Sequence, residues 1–233
     1  AGFFLFVSQV YSKIFKNNEG SAVRRTINFS IILLIAGLSG ALTVSRNEVW
    51  QNEESFWKDA TLCSPKSAIA HNNLGLVYLN HGDLANAEGS FNNAIQLADS
   101  VPLKEDRYQV SNRAHVNLGI VYARQNRMQD ARHEFETAIR VAPGYVRAHL
   151  NLAALFMETG KLKEAVAEFN AALALEPDNL RARLYLANIY RKLGEFENAE
   201  TELEKILAID PKNGDALGLM KIVQKTKLQD NKD

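Results

Sequence analysis

Histidine, asparagine and arginine each recur along this chain at fixed offsets, and each set could do different chemistry. His71, His115 and His149 share one phase, which invites a metal. Two imidazoles sharing a zinc ion must each approach it to about 2.1 Å, whereas packed helices lie about 10 Å apart, so packing between helices is the expected role. Asn73, Asn117 and Asn151 each stand immediately before a Leu-Gly or Leu-Ala pair. An amide side chain both donates and accepts, so a ladder of amides can hold an extended peptide by its backbone. The same amides could instead tie neighbouring helices together. Four residues before each ladder position from the second onward lie Arg113, Arg147 and Arg181, with Ile69 at the first. A row of guanidiniums can grip carboxylates or phosphates in a fork geometry, or pair with acidic groups of the preceding block. Arg124, Asn188, Arg191 and Lys192 would enlarge the patch. The expected partner is a protein or peptide of acidic character.

Catalytic constellations are scarce. Arg132-His133-Glu134 fails as a zinc-protease helix because Thr137 occupies the place of the second histidine. Neither a phosphate-binding glycine loop nor a Ser/His/Asp set stands out, and no catalytic residue, metal or cofactor is expected here. Cys63, the one cysteine, can form no internal disulfide and reads as a small packed residue near a helix end. The 27 basic and 27 acidic residues cancel, which argues against general nucleic-acid binding.

The elements that must position these side chains are legible from spacing. Leu74-Gly75-x-x-Tyr78, Leu118-Gly119-x-x-Tyr122, Leu152-Ala153-x-x-Phe156 and Leu186-Ala187-x-x-Tyr190 recur, the last three 34 residues apart. Each is followed by a second set on one helical face: Ala87, Phe91, Ala94; Ala131, Phe135, Ala138; Ala165, Phe169, Ala172; Ala199, Leu203, Ile206. Gly82, Gly160 and Gly194 stand at the turn inside three blocks, where a left-handed residue is easiest for glycine, and Asn126 takes that place in the second. Pro143, Pro177 and Pro211 stop the second helices.

The pattern strongly resembles tetratricopeptide repeats, which implies an all-α solenoid of paired helices whose first helices line an inner, concave face. The amide row resembles the asparagine ladder of the O-GlcNAc transferase superhelix. Four repeats are expected over residues 68–212. Trp57, Ala60 and Pro65 lie one period before Phe91, Ala94 and Asp99, so Arg46 to Cys63 reads as a half-repeat linker helix, ending by residue 67. Residues 213–233 read as a solvating cap helix, Asp215 to Leu228, and a fraying tail. The first two signatures are 44 residues apart, an insertion of about ten placed in Ser100 to Ser111. Its charged run Lys104-Glu105-Asp106-Arg107 makes a solvated loop, lengthens the flanking helices or contacts a partner.

Upstream, Thr26 to Ser45 carries no charge over 20 residues, enough as a helix to cross a hydrocarbon core of about 30 Å. The preceding residues, 1–25, comprise a short apolar start and a basic connector with Lys13, Lys16, Arg24 and Arg25 against Glu19. Positive loops stay cytoplasmic, so the repeats are expected on the other side, in a periplasm or an endoplasmic reticulum lumen. The apolar start reads as the end of an upstream membrane helix in a longer protein, as a remnant after signal-peptide cleavage, or as an interfacial helix. The junction from Arg46 through Trp50, Trp57 and Pro65 to Asn73-Leu74-Gly75 resembles the place where the last membrane helix meets the repeats in transmembrane and TPR-containing protein O-mannosyltransferases and their bacterial relatives. That resemblance implies a lipid-phosphate-sugar donor and an acceptor-recruiting role, with catalysis upstream of Ala1. Three functions therefore stand open: a membrane-anchored scaffold binding a polypeptide in its groove, with lipid around residues 26–45; the tail of a glycosyltransferase; and a structural subunit held by its convex surface.

Overall fold

A computed structural model describes residues 34, 35, 37, 38, 52–98 and 104–230, with side chains described except at 104–108 and 230. The chain divides into two compact units, Ala1–Ser55 and Phe56–Asp233. In the first, Leu34, Ile35, Gly37 and Leu38 are helical and exposed. The rest of the expected membrane segment, the basic connector and the apolar start lie outside the described residues. Among the described residues no helix is long and apolar enough to cross a membrane.

The described fold is all-α. Among the described residues from Glu53 onward, ten helices follow one another: α1 (Glu53–Cys63), α2 (Ala68–His81), α3 (Leu84–Ala98), α4 (Lys104–Arg124), α5 (Met128–Val141), α6 (Val146–Glu158), α7 (Leu162–Leu175), α8 (Leu180–Leu193), α9 (Phe196–Ile209) and α10 (Gly214–Asp230). From α2 onward they pack as pairs, α2 with α3, α4 with α5, α6 with α7 and α8 with α9, and α10 closes the end against α9. Each pair is one repeat, and each repeat hides its stripe only by touching its neighbours.

Local chemistry sets the boundaries. Ser67, Asn179 and Asn213 cap α2, α8 and α10 by accepting from the amides of Ala70, Ala182 and Ala216. Asp83 does the same ahead of α3, and its hydrogen bonds from Asn86 hold its carboxyl below the usual carboxylate range. All four first helices end alike. Gly82, Asn126, Gly160 and Gly194 have φ between 62° and 79°, as their types and positions predict. The next residue then donates to the aromatic signature residue: Asp83 to Tyr78, Arg127 to Tyr122, Lys161 to Phe156 and Glu195 to Tyr190, at 2.8–2.9 Å.

Apolar burial holds the pairs together. Phe91, Phe135 and Phe169 are at most 2% exposed, and each such ring contributes about 2–3 kcal/mol through burial. One cluster of buried residues runs from Leu79 to Ile189. A second joins Ala187, Leu203 and Ile206 to Ala216 and Val223 of α10, so the last helix covers the stripe as a cap should. Glycine is required where rings come close. A Cβ on Gly75 would lie 2.7 Å from Phe91, and one on Gly119 would lie 2.5 Å from Phe135.

Two features differ from the regular pattern. The half-repeat helix α1 begins at Glu53 and buries no residue. Phe56 and Trp57 meet edge-on at 4.9 Å, and Lys58 reaches over the Tyr78 ring of α2 at 5.7 Å. The insertion takes the form of helix: α4 has 21 residues where α6 has 13 and α8 has 14, and Lys104 to Arg107 begin it.

Candidate functional site on the first-helix face

The expected binding residues all lie on first helices, α2, α4, α6 and α8, but they are spent differently. Asn117 is 1% exposed. Its Nδ2 donates to Asn72 Oδ1 at 3.1 Å, and its Oδ1 accepts from Arg147 Nη2 at 3.2 Å. A buried amide thus links α2, α4 and α6. Asn72, which the spacing did not single out, passes the chain on by donating to Asn73 Oδ1 at 3.4 Å. Asn151 donates to the carbonyl of Arg147, one turn back, at 2.6 Å. In the fourth repeat Tyr185 replaces the asparagine and stacks on Phe169, with ring centroids 5.6 Å apart.

The arginines divide as well. Arg147 uses a donor on Asn117, and Arg181 donates to the Tyr185 hydroxyl at 3.3 Å while lying over that ring. Arg124 donates to the Leu79 carbonyl at 3.0 Å, tying α4 to the end of α2. Arg191 donates to Asn188 Oδ1 at 3.0 Å within α8, and Lys192 beside it is exposed. Arg113 is exposed and, among the described residues, makes no hydrogen bond or ion pair.

Arg113 opens onto a cavity of about 250 Å³ between α2 and α4. Ile69, Asn72 and Asn73 form one wall, and Gln109, Val110 and Arg113 form the other. The surrounding chemistry is an apolar wall, several amide groups and one guanidinium, which suits a polar or anionic group on a peptide.

The repeating histidines brace individual repeats and the turns before them through hydrogen bonds. His115 Nδ1 lies 2.6 Å from Glu134 Oε2, and His149 Nδ1 lies 2.7 Å from Glu168 Oε2. His149 Nε2 and His71 Nε2 face the carbonyls of Pro143 and Pro65 at 3.0 and 3.1 Å. Arg183 fills the same station in the fourth repeat, donating to Glu202 at 2.6 Å and to the Pro177 carbonyl. Each strut to a glutamate ties the first helix to the second helix of its repeat, and in the third and fourth repeats the same side chain also holds the turn before it. The glutamates and Arg183 were missed by spacing, although the offset His149 to Glu168 recurs between Arg183 and Glu202. Among the described residues no group of histidine, cysteine, aspartate and glutamate could hold a metal ion.

Comparison with known proteins follows the same lines. A tetratricopeptide repeat protein from Parabacteroides merdae ATCC 43184 has a similar structure, with TM-score 0.62 and 23% identity over 70% of this chain, which spans 60% of that one. YrrB, described as a TPR protein with an unusual peptide-binding site, has TM-score 0.57 and 21% identity, covering 78% of this chain and 88% of YrrB. A thermophilic TPR protein of Thermus thermophilus, TTC0263, has TM-score 0.52 and 24% identity, covering 73% of this chain and 88% of its own. No curated protein matches the chain. Three family models, each described as tetratricopeptide repeat, match residues 66–144, 116–179 and 157–222. Together they span more than half of the sequence, and the chain belongs to the tetratricopeptide repeat proteins.

Proposed function

We propose that this protein is a scaffold that holds a polypeptide partner against the face built by its first helices. The observation that carries the proposal is the stripe beside the amides. Leu76, Ile120 and Ala154 each follow a ladder asparagine by three residues, on the same helical face, and all three remain half-buried or exposed. The apolar floor and the flanking amides of Asn73 and Asn151 together suit an extended peptide, whose side chains need the first and whose backbone needs the second. The similarity to YrrB supports a peptide partner. The uncharged segment Thr26 to Ser45 would tether the repeats to a membrane, and the basic residues ahead of it favour the extracytoplasmic side for them.

A photo-crosslinking residue tests the binding face. Placed at Ile120 it should capture a polypeptide, whereas at the exposed His133 of α5 it should not. Capture at His133 alone would move the partner to the outer surface and support the structural-subunit reading. Changing Asn73 and Asn151 together to alanine should weaken capture at Ile120 without altering the fold.

The enzyme reading rests on the junction from Arg46 to Pro65 and its resemblance to membrane-to-repeat junctions of O-mannosyltransferases. In that case the repeats would recruit the acceptor polypeptide, and the intact mass of the protein from its native membrane would exceed that of this chain.

A further inference from the structure

We propose that the extra turns at the start of α4 build a subsite for an acidic side chain, aspartate or glutamate, of the bound polypeptide. The inference rests on the polypeptide-binding reading and adds where along the face the partner is anchored, and by what chemistry.

The subsite is made by the insertion. Aligning the signatures places the start of α6 at Val146 and of α8 at Leu180, which correspond to Asn112 in α4. Residues 104–111 are therefore helix where the other repeats have a turn. Gln109 and Val110 stand where the later repeats have Pro143-Gly144 and Pro177-Asp178. A helix carries its side chains onward as a continuous wall, and a proline turn cannot. Gln109 and Val110 form such a wall opposite Ile69 and Asn73, enclosing the cavity of about 250 Å³. At about 30 Å³ of liquid per water, the space holds roughly eight waters, enough for one side chain with part of its hydration.

Charge decides what enters. Arg113 is the one charged residue among the six that line the cavity. Its counterparts in the row, Arg147 and Arg181, each commit a donor to a neighbouring side chain, whereas Arg113 has no partner among the described residues. A carboxylate accepts two parallel N–H bonds from such a fork, and the nearby Asn73 and Gln109 can donate to its remaining lone pairs. Half-exposed Ile69 covers the methylene stem.

The test uses the full chain and fluorescent ten-residue peptides, N-acetylated and C-terminally amidated, built from alanine, leucine and serine around one central glutamate or glutamine. The glutamate peptide should bind about tenfold more tightly than the glutamine peptide. Arg113→Gln should abolish that preference, and Arg181→Gln should retain it. Val110→Trp, which fills the cavity, should also remove the preference. Binding with equal affinity for the two peptides, or an unchanged preference in Arg113→Gln, would overturn the subsite alone. Binding of no peptide at all would overturn the polypeptide reading beneath it. A serine-alanine-leucine peptide with a free C-terminus binding more tightly than the amidated glutamate peptide would assign the cavity to a chain terminus and overturn the side-chain assignment.

Discussion

The first two repeats and the last two share a fold but are cemented by different chemistry. Across the first junctions the bond between repeats is polar and buried, Asn72 to Asn117 to Arg147. In the last repeats the corresponding ladder position is Tyr185, and it stacks on Phe169 of the preceding repeat, so an aromatic contact takes the place of the amide link. Glycine faces the phenylalanine ring in the first two repeats, whereas Ala153 and Ala187 suffice later. A buried amide chain must be satisfied at every link and so fixes one helix spacing. Stacking and apolar closure tolerate more variation. The amino-terminal junctions are thus set for position, where the cavity lies, and the carboxy-terminal repeats for closure.

The largest break in that contrast should come from the closing end. Removing residues 214–233 uncovers Leu203 and Ile206, which Ala216 and Val223 now seal. A loss of about 5 kcal/mol is expected from burial of the α10 side chains. Size-exclusion chromatography should show aggregation, and an unchanged melting curve with monomeric elution would contradict the cap.

Next comes the glycine contact. Gly119→Ala places a methyl against the Phe135 ring and should cost about 2 kcal/mol in urea unfolding. Adding Phe135→Leu, which recreates the Ala187 and Leu203 pairing of the fourth repeat, should recover part of that loss. Independent, additive costs would show that the two residues do not meet as described.

The ladder then separates its own members. Asn117→Ala strips Asn72 of a buried donor and Arg147 of an acceptor, and should cost about 1–2 kcal/mol. Asn151→Ala removes only a bond to its own helix and should cost less than about 0.5 kcal/mol. Equal losses would mean that the buried network carries no special weight.

The smallest effect is electrostatic. Lys227 of α10 hydrogen-bonds Glu197 and Glu200 of α9; its hydrogen bond holds the Glu197 carboxyl below the usual range, and the two glutamates raise the Lys227 ammonium. A depressed carboxylate stabilises the folded state above its unfolded pKa and loses that contribution as pH falls below about 4. Amide exchange in α10 should therefore quicken on acidification in the native protein, relative to the intrinsic rate at each pH, and the change should shrink in Lys227→Gln.

How much of this was legible in the sequence depends on how local the chemistry is. The left-handed turn at Asn126 could be read because a φ of 62° is a property of one residue and its neighbours. The proline stops and the apolar stripes were readable for the same reason. The insertion could be located but not shaped, since Lys104 to Arg107 suits a solvated loop as well as a helix end. Burial of Asn117 was hidden because it depends on how closely α2, α4 and α6 approach, and an asparagine at that phase looks the same whether it faces a partner or a neighbour. The struts escaped because a histidine and a glutamate 19 residues apart meet only once two helices fold back on each other.

Amide chemical-shift mapping of the full chain, titrated with the amidated glutamate peptide, is the sharpest test of a first-helix binding face. The largest shifts should fall on Ile69 to Leu76 of α2 and Gln109 to Ile120 of α4, fading toward α8. Shifts concentrated on the second helices α5, α7 and α9 would place the partner on the opposite surface and contradict a first-helix binding face.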